Sequence, residues 1–437
     1  MLVKSLAIVS ASLLAEASTN FQIYSIPKTE FNPNVHDVVK NDGDRIHVLS
    51  KWNPSSESTL EVTKAQLSEM LKNKDQHQLG ASSWFESYHN STEILNYYDT
   101  LVKNTGVKKS SIGKSINKKD YWMYSWENEN IKPSVVMTCT VHAREWIAPA
   151  SCQYFFEQFL TSESFKMLRE SVNLFLVPIY NIDGYDYTWE NPEGDNRMWR
   201  KNRNPNSDVG NCFGVDINRN YDSYWCVEGS SNNTCAETYC GTSAESENET
   251  KAITNLLKEK RPYAYFDAHS YSQMLLFPYQ SKYDIATTHY DLTKAGESAA
   301  AEMFKVNGTV YIPGPGGETI YLHSGGAIDY CYDQLGVKLP FTFELRDTGT
   351  YGFILPVDQI IPTAMEYTAG VKKILEFGLE TYYPSGTLAI KTSFSMVACL
   401  VLVFMNYHWW FIKSLFFVFN KLAADLFTIF FQFFNFA

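Results

Sequence analysis

The stretch "SVVMTCTVHAREWIAPASCQYFFEQFL", residues 134–160, passes from an apolar β-rich run through a short polar loop into a helical segment. Val135, Val136 and Met137 suit a buried strand, and from Trp146 to Leu160 the apolar residues recur at helical spacing. A strand that feeds a helix through a short loop is the repeating unit of an α/β domain. His142 and Glu145 lie in that loop, three residues apart, where a strand end gathers reactive groups. Imidazole and carboxylate are both zinc ligands, yet two such residues by themselves read equally well as ordinary polar groups on a loop.

The same alternation continues along the chain. "NLFLVPIY", "YAYFDAH" and "PFTFEL" read as further strands, and "PASCQYFFEQFLTSESFKMLRE" and "AESENETKAITNLLKEK" as helices. The expected fold class is therefore α/β from Trp84 onward. Ahead of it, "FQIYSI" and "RIHVLSKW" look like two short strands and "LEVTKAQLSEMLKNK" like a helix, which makes residues 18–83 a small separate α+β module. Residues 1–17 combine Lys4, the apolar run Leu6–Leu14 and Ala15-Glu16-Ala17, the pattern of a secretory signal peptide.

With 437 residues, the chain is long enough for one large domain plus accessory segments. Its formal charge of -11 argues against a nucleic-acid binder, which needs a basic surface. Sequons at Asn90, Asn232, Asn248 and Asn307 fit a secreted protein, and eight cysteines in that compartment suggest disulfides. After Pro384 the composition shifts to Phe, Leu, Val and Trp. Residues 394–412 are about long enough to span a bilayer, and Ser385-Gly386-Thr387 with the tail behind it offers the alternative of a lipid-anchor signal. Residues 384–437 are thus expected to attach the protein to a membrane.

Four further stretches bear on His142 and Glu145. His269 ends the apolar run "YAYFDAH", giving a second imidazole at a strand end. Glu344 sits within "PFTFEL", an apolar setting in which a carboxylate is costly unless it is used or paired, for instance with Arg346. "NRMWRKNRN" concentrates Arg197, Arg200, Lys201 and Arg203, and "GVDINRN" sets Asn218 beside Arg219, a pairing suited to capturing a carboxylate.

Together "HAREW", "NRMWRKNRN", "GVDINRN", "AHSYSQ", "SGGAIDY" and "FTFELRDTGTYGF" resemble, in order and spacing, the zinc carboxypeptidases of the pancreatic A/B type. The resemblance covers roughly residues 84–383. It implies a mixed, mostly parallel twisted β-sheet flanked by helices, one zinc ion per chain, and a monomer acting on peptides or proteins with a free C-terminus. His142, Glu145 and His269 would hold the zinc, Glu344 would act as general base, and Arg200 would meet the oxyanion. Asn218, Arg219 and Tyr321 would hold the terminal carboxylate, Arg144, Ser270 and Tyr271 would line the peptide side, and Asp216 would orient His142. Ile328 would form the base of the side-chain pocket and Phe353 its wall, favouring apolar or aromatic C-terminal residues. Disulfides Cys139–Cys152, Cys212–Cys235 and Cys226–Cys240 would leave Cys331 and Cys399 unpaired.

Two features depart from that pattern. The pro-segment is shortened and "DQHQLGASSWFESYH" offers no basic cleavage site after Lys74, and the hydrophobic tail is absent from soluble digestive enzymes of this type. A zinc deacylase would explain the metal but not all six motifs, and a catalytically dead receptor would have lost Glu344 or a ligand.

Overall fold

A computed structural model describes residues 84–129, 132–205 and 212–384, together with the backbone of four short strands nearer the N-terminus. Those strands are β1 (Gln22–Pro27), β2 (Asp37–Asp42), β3 (Arg45–Ser50) and β4 (Thr59–Glu61), joined in the order β2-β3-β1-β4. β1 and β3 match the two expected strands, whereas β4 occupies the start of the segment read as a helix. The signal sequence, the remainder of that helix and the hydrophobic tail lie outside the described residues. Among the described residues no helix is long and apolar enough to cross a membrane.

The main body of the described residues is built on an eight-stranded sheet. Its strands are β5 (Lys108–Lys114), β6 (Asp120–Trp126), β7 (Ser134–Thr138), β8 (Asn173–Val177), β9 (Ala264–Ser270), β10 (Met274–Phe277), β11 (Ile312–Pro315) and β12 (Leu339–Leu345), in the order β11-β10-β12-β9-β7-β8-β6-β5. The four central strands β12, β9, β7 and β8 run parallel. Their residues are almost all buried, as both faces of a parallel sheet must be. Antiparallel pairing returns at the flanks, between β10 and β12 and through β8, β6 and β5.

The helices are α1 (Ser91–Asn104), α2 (Ile147–Thr161), α3 (Lys166–Ser171), α4 (Ile182–Glu190), α5 (Asn248–Lys260), α6 (His289–Asn307), α7 (Gly316–Thr319), α8 (Ala327–Leu335) and α9 (Ile360–Tyr382). Asn90 and Glu93 form a reciprocal capping box that starts α1, satisfying two otherwise orphaned amides. The expected helix over residues 149–170 is interrupted at Ser162. That residue turns to extended backbone and accepts from the Ser164 amide, so the chain restarts as a short turn and then α3. α2 is buried along most of its length, with Phe155, Phe156 and Phe159 fully enclosed.

All three expected disulfides are formed, Cys139–Cys152, Cys212–Cys235 and Cys226–Cys240, and Cys331 is free and buried. The first ties the end of β7 to α2 on either side of the His142 loop.

Candidate zinc and peptide-cleavage site

Parallel strands place their C-terminal ends together, and the loops and residues at those ends build the site. β7 runs into the loop that carries His142 and Glu145, and α2 begins directly after it at Ile147. His269 lies near the end of β9, and the pairing of β9 with β12 sets it directly beside Glu344. Residues far apart in the chain therefore become neighbours because their strands share a register.

His142, Glu145 and His269 are all buried, with ligand atoms within 4.8 Å of one another. His142 Nδ1 is 2.8 Å from Glu145 Oε1, and His269 Nδ1 is 3.2 Å from His142 Nδ1 and 3.3 Å from Glu145 Oε2. Two imidazole Nδ1 atoms and one carboxylate converging on a point is a donor set that fits zinc and leaves a coordination position open. Burial alone would raise the Glu145 carboxyl, but His142 and His269 hold it well below the usual range, as a ligand requires.

The other nitrogen of each histidine faces a carboxylate. His142 Nε2 is 3.2 Å from Asp216 Oδ1, so an N–H there donates and leaves Nδ1 free to bind metal. His269 Nε2 is 3.1 Å from Asp267 Oδ2, and Asp267 Oδ1 accepts from the Thr138 hydroxyl at 2.8 Å. Sequence reading finds Asp216 and misses Asp267. The signal was present, since residues two apart on a strand share a face, and Asp267 stands two before His269.

Asp216 also joins Arg200 to the Asn218–Arg219 turn. It accepts from Arg200 Nε at 3.0 Å and Nη2 at 2.9 Å, and its Oδ1 caps the Asn218 amide at 3.0 Å. Burial opposes its charge, but Arg200, Arg219 and His142 hold its carboxyl well below the ordinary value. Arg219 donates from Nε to Gly229 O, from Nη1 to Asn218 O and from Nη2 to the Tyr321 hydroxyl at 3.0 Å. Of the four cations in "NRMWRKNRN", Arg200 alone lines the cleft. Arg197 braces the backbone at Arg144 and Phe353, Lys201 donates to Thr234 O, and Arg203 stacks on Tyr187 and Trp199.

The cleft is lined by His142, Glu145, His269, Glu344, Arg200, Asn218, Arg219, Ser270, Tyr271, Tyr321 and Phe353 among the residues expected there. Glu344 does not pair with Arg346, whose guanidinium is held by Glu366 and Gln359. Burial pushes the Glu344 carboxyl up to about 8, with His269 pulling it down.

Arg144 and Ile328 lie behind the cleft-lining side chains. Arg144 is enclosed with its guanidinium 4.2 Å from the Phe353 ring, and Ile328 is fully buried in α8. Leu276, Gln280, Ile320, His323 and Thr342 reach the cleft instead, none of them expected from sequence. Asn181, also unforeseen, clamps the ligand loop by donating to Val141 O at 2.8 Å while its Oδ1 caps α4.

The zinc carboxypeptidase family profile matches residues 94–370. Bovine carboxypeptidase B is 38% identical over 312 residues, 68% of this chain and 72% of that protein. Rat carboxypeptidase B2 is 40% identical over 67% of this chain and 71% of its own length. The crystal structure of thrombin activatable fibrinolysis inhibitor superposes with a TM-score of 0.73 at 30% identity, covering 83% of this chain and 99% of that one.

Proposed function

The chain belongs to the zinc carboxypeptidase family, with its zinc site at His142, Glu145 and His269, and on that premise we propose that it removes apolar or aromatic residues from peptide C-termini. The observation that carries the reading is one cleft in which the zinc ligands, Glu344, Arg200 and the Arg219–Tyr321 pair all meet. When bound, zinc supplies a Lewis acid that polarises the scissile carbonyl, acidifies water and, as a dication, favours ionised Glu344.

Glu344 takes a proton from the attacking water and returns it to the departing amine. Arg200, held in place by Asp216 through two hydrogen bonds, presents its positive charge to the oxygen that becomes negative. Arg219, Asn218 and Tyr321 bind the substrate's terminal carboxylate. Arg219 is 1% exposed, so an internal peptide segment that brought no carboxylate would leave its charge poorly matched, which restricts cleavage to the last bond. Ser270 and Tyr271 contact the peptide, and Arg144 supports Phe353 from behind.

Leu276, Ile320 and Phe353 make the side-chain wall apolar. A basic side chain would need a buried counter-charge, but the carboxylate beside the pocket, Asp329, has both oxygens engaged by Gln280 N, Ser281 N and Ser281 Oγ. The disulfides suit an oxidising compartment. Residues 1–17 are assigned to a signal peptide, 18–83 to a shortened pro-segment, 84–383 to the catalytic domain and 384–437 to membrane attachment of a monomer at the cell surface.

The test is turnover of N-blocked dipeptides ending in Phe, Leu or Lys, before and after a chelator. Hydrolysis of the Phe and Leu peptides, lost with the chelator and restored by zinc, is expected. No turnover with zinc restored overturns the activity, and preference for Lys overturns the pocket assignment.

A further inference from the structure

Tyr265, Asp267 and His269 alternate along β9, so all three project from one face of the strand. Of these, only His269 lines the cleft. Thr138, the last residue of β7, is the register partner of Asp267 where β7 and β9 pair in parallel. All four residues are buried, Tyr265, Asp267 and Thr138 completely. On a central strand covered on both faces, polar groups at three alternate positions are costly unless they satisfy one another.

They do so in one direction. An ionised carboxylate only accepts, so the single Thr138 hydroxyl proton is donated to Asp267 Oδ1 at 2.8 Å. Thr138 Oγ1 then meets the Tyr265 hydroxyl at 2.7 Å with no proton left to give, which makes Tyr265 the donor. The other carboxylate oxygen, Oδ2, faces His269 Nε2 at 3.1 Å. The chain of groups therefore runs from Tyr265 through Thr138 and Asp267 to the imidazole whose Nδ1 stands among the zinc-ligand atoms. A carboxylate turns easily about its last torsion, and turning would carry Oδ2 away from the ring. Thr138 holds Oδ1 against that rotation, and Tyr265 fixes the direction of the threonine hydroxyl.

We propose that Thr138 and Tyr265 are positioning residues for the zinc ligand His269, acting through Asp267 and touching neither metal nor substrate. This rests on the zinc site at His142, Glu145 and His269 and adds two residues to its support. Each hydroxyl orients the next group, so the effects of removing them are coupled. Once the Thr138 hydroxyl is gone, Tyr265 has nothing left to orient. A role in packing alone has the contrary signature, two losses that add and that follow side-chain volume rather than the hydroxyl.

The experiment measures the zinc Kd of the full chain by competition with a chromophoric chelator. Thr138→Val keeps the shape, removes the hydroxyl and should weaken zinc binding by roughly tenfold, the lower end for a lost partner behind a metal ligand. Thr138→Ser restores the hydroxyl and should stay within about twofold of wild type. Tyr265→Phe should weaken binding by about fivefold, the size of one net hydrogen bond, yet have almost no further effect when added to Thr138→Val. Wild-type affinity in Thr138→Val, equal weakening in Thr138→Ser and Thr138→Val, or an undiminished Tyr265→Phe effect in the double variant each overturns the proposal. If Thr138→Val does not fold, Tyr265→Phe decides alone, and a Kd within about twofold of wild type overturns it. Zinc affinity is read without substrate, so an inactive wild-type protein would refute the exopeptidase proposal and not this one.

Discussion

Replacing Asp267 with asparagine keeps the size of the side chain and an oxygen for the Thr138 hydroxyl, but takes the negative charge away from His269 Nε2, 3.1 Å distant. A carboxylate facing the far nitrogen of a metal-ligating histidine fixes the ring and strengthens it as a ligand. Loss of such a partner typically weakens metal binding by about 10–100-fold, or roughly 1.4–2.8 kcal/mol. The same carboxylate is fully buried in a region where Tyr180, Tyr221, Tyr265 and Tyr367 feel its charge, and its ion pair among the described residues is with His269. Without metal, the substitution also takes the partner away from His269, whose imidazole this carboxylate holds above its usual pKa against the opposing effect of burial, so the metal-free protein loses stability as well. The part of the loss seen only with zinc bound separates positioning of the ligand from a general structural role. Competition against a chromophoric chelator gives the zinc Kd, and denaturant unfolding with and without zinc gives the stability, where the zinc-dependent increment should shrink by the same roughly 1.4–2.8 kcal/mol. Zinc affinity within about twofold of wild type, or equal destabilisation with and without the metal, would refute the reasoning.

Glu344→Gln should retain zinc stoichiometry while kcat falls by about 10²–10⁴-fold, the usual contribution of a general base; a loss confined to KM would remove Glu344 from that role. Burial pushes Glu249 up from its ordinary 4.5 to about 7. The folded protein thus binds more protons than the unfolded chain between those values, so stability is fully present below the unfolded value and declines as pH rises through about 7, by up to roughly 3 kcal/mol. Glu249→Gln, which stays neutral, should flatten that part of the pH profile and raise Tm above pH 7; an unchanged slope in the variant counts against the assignment.

The central strands were legible because a parallel strand buried on both faces must be written in continuous apolar residues, as in β7, β8, β9 and β12. The flanks were not. β5, "KKSSIGK", lies at the sheet edge and carries hardly any apolar pattern, and β10 and β11 are four residues each, one of them "IPGP". Short or edge strands are defined by their partners more than by their own composition. In "NRMWRKNRN" four cations look alike in sequence, yet only Arg200 points into the cleft. Arg197 was drawn instead toward carbonyls near Arg144 and Phe353 that needed donors.

The sequence by itself determined the alternation of strand and helix, the zinc ligands and Glu344, and their likeness to one family, because these depend on local pattern and on motifs short enough to read. Tertiary structure alone decided which side chains surround them. Register between β9 and β12 set Glu344 beside His269, the approach of β7 to β9 set the Thr138 hydroxyl on Asp267, and the turn after β10 brought Gln280 to Gly326 near Asn218. Each of these contacts joins residues distant in the chain, and only the packing of the folded sheet and its loops brings such residues within hydrogen-bonding reach.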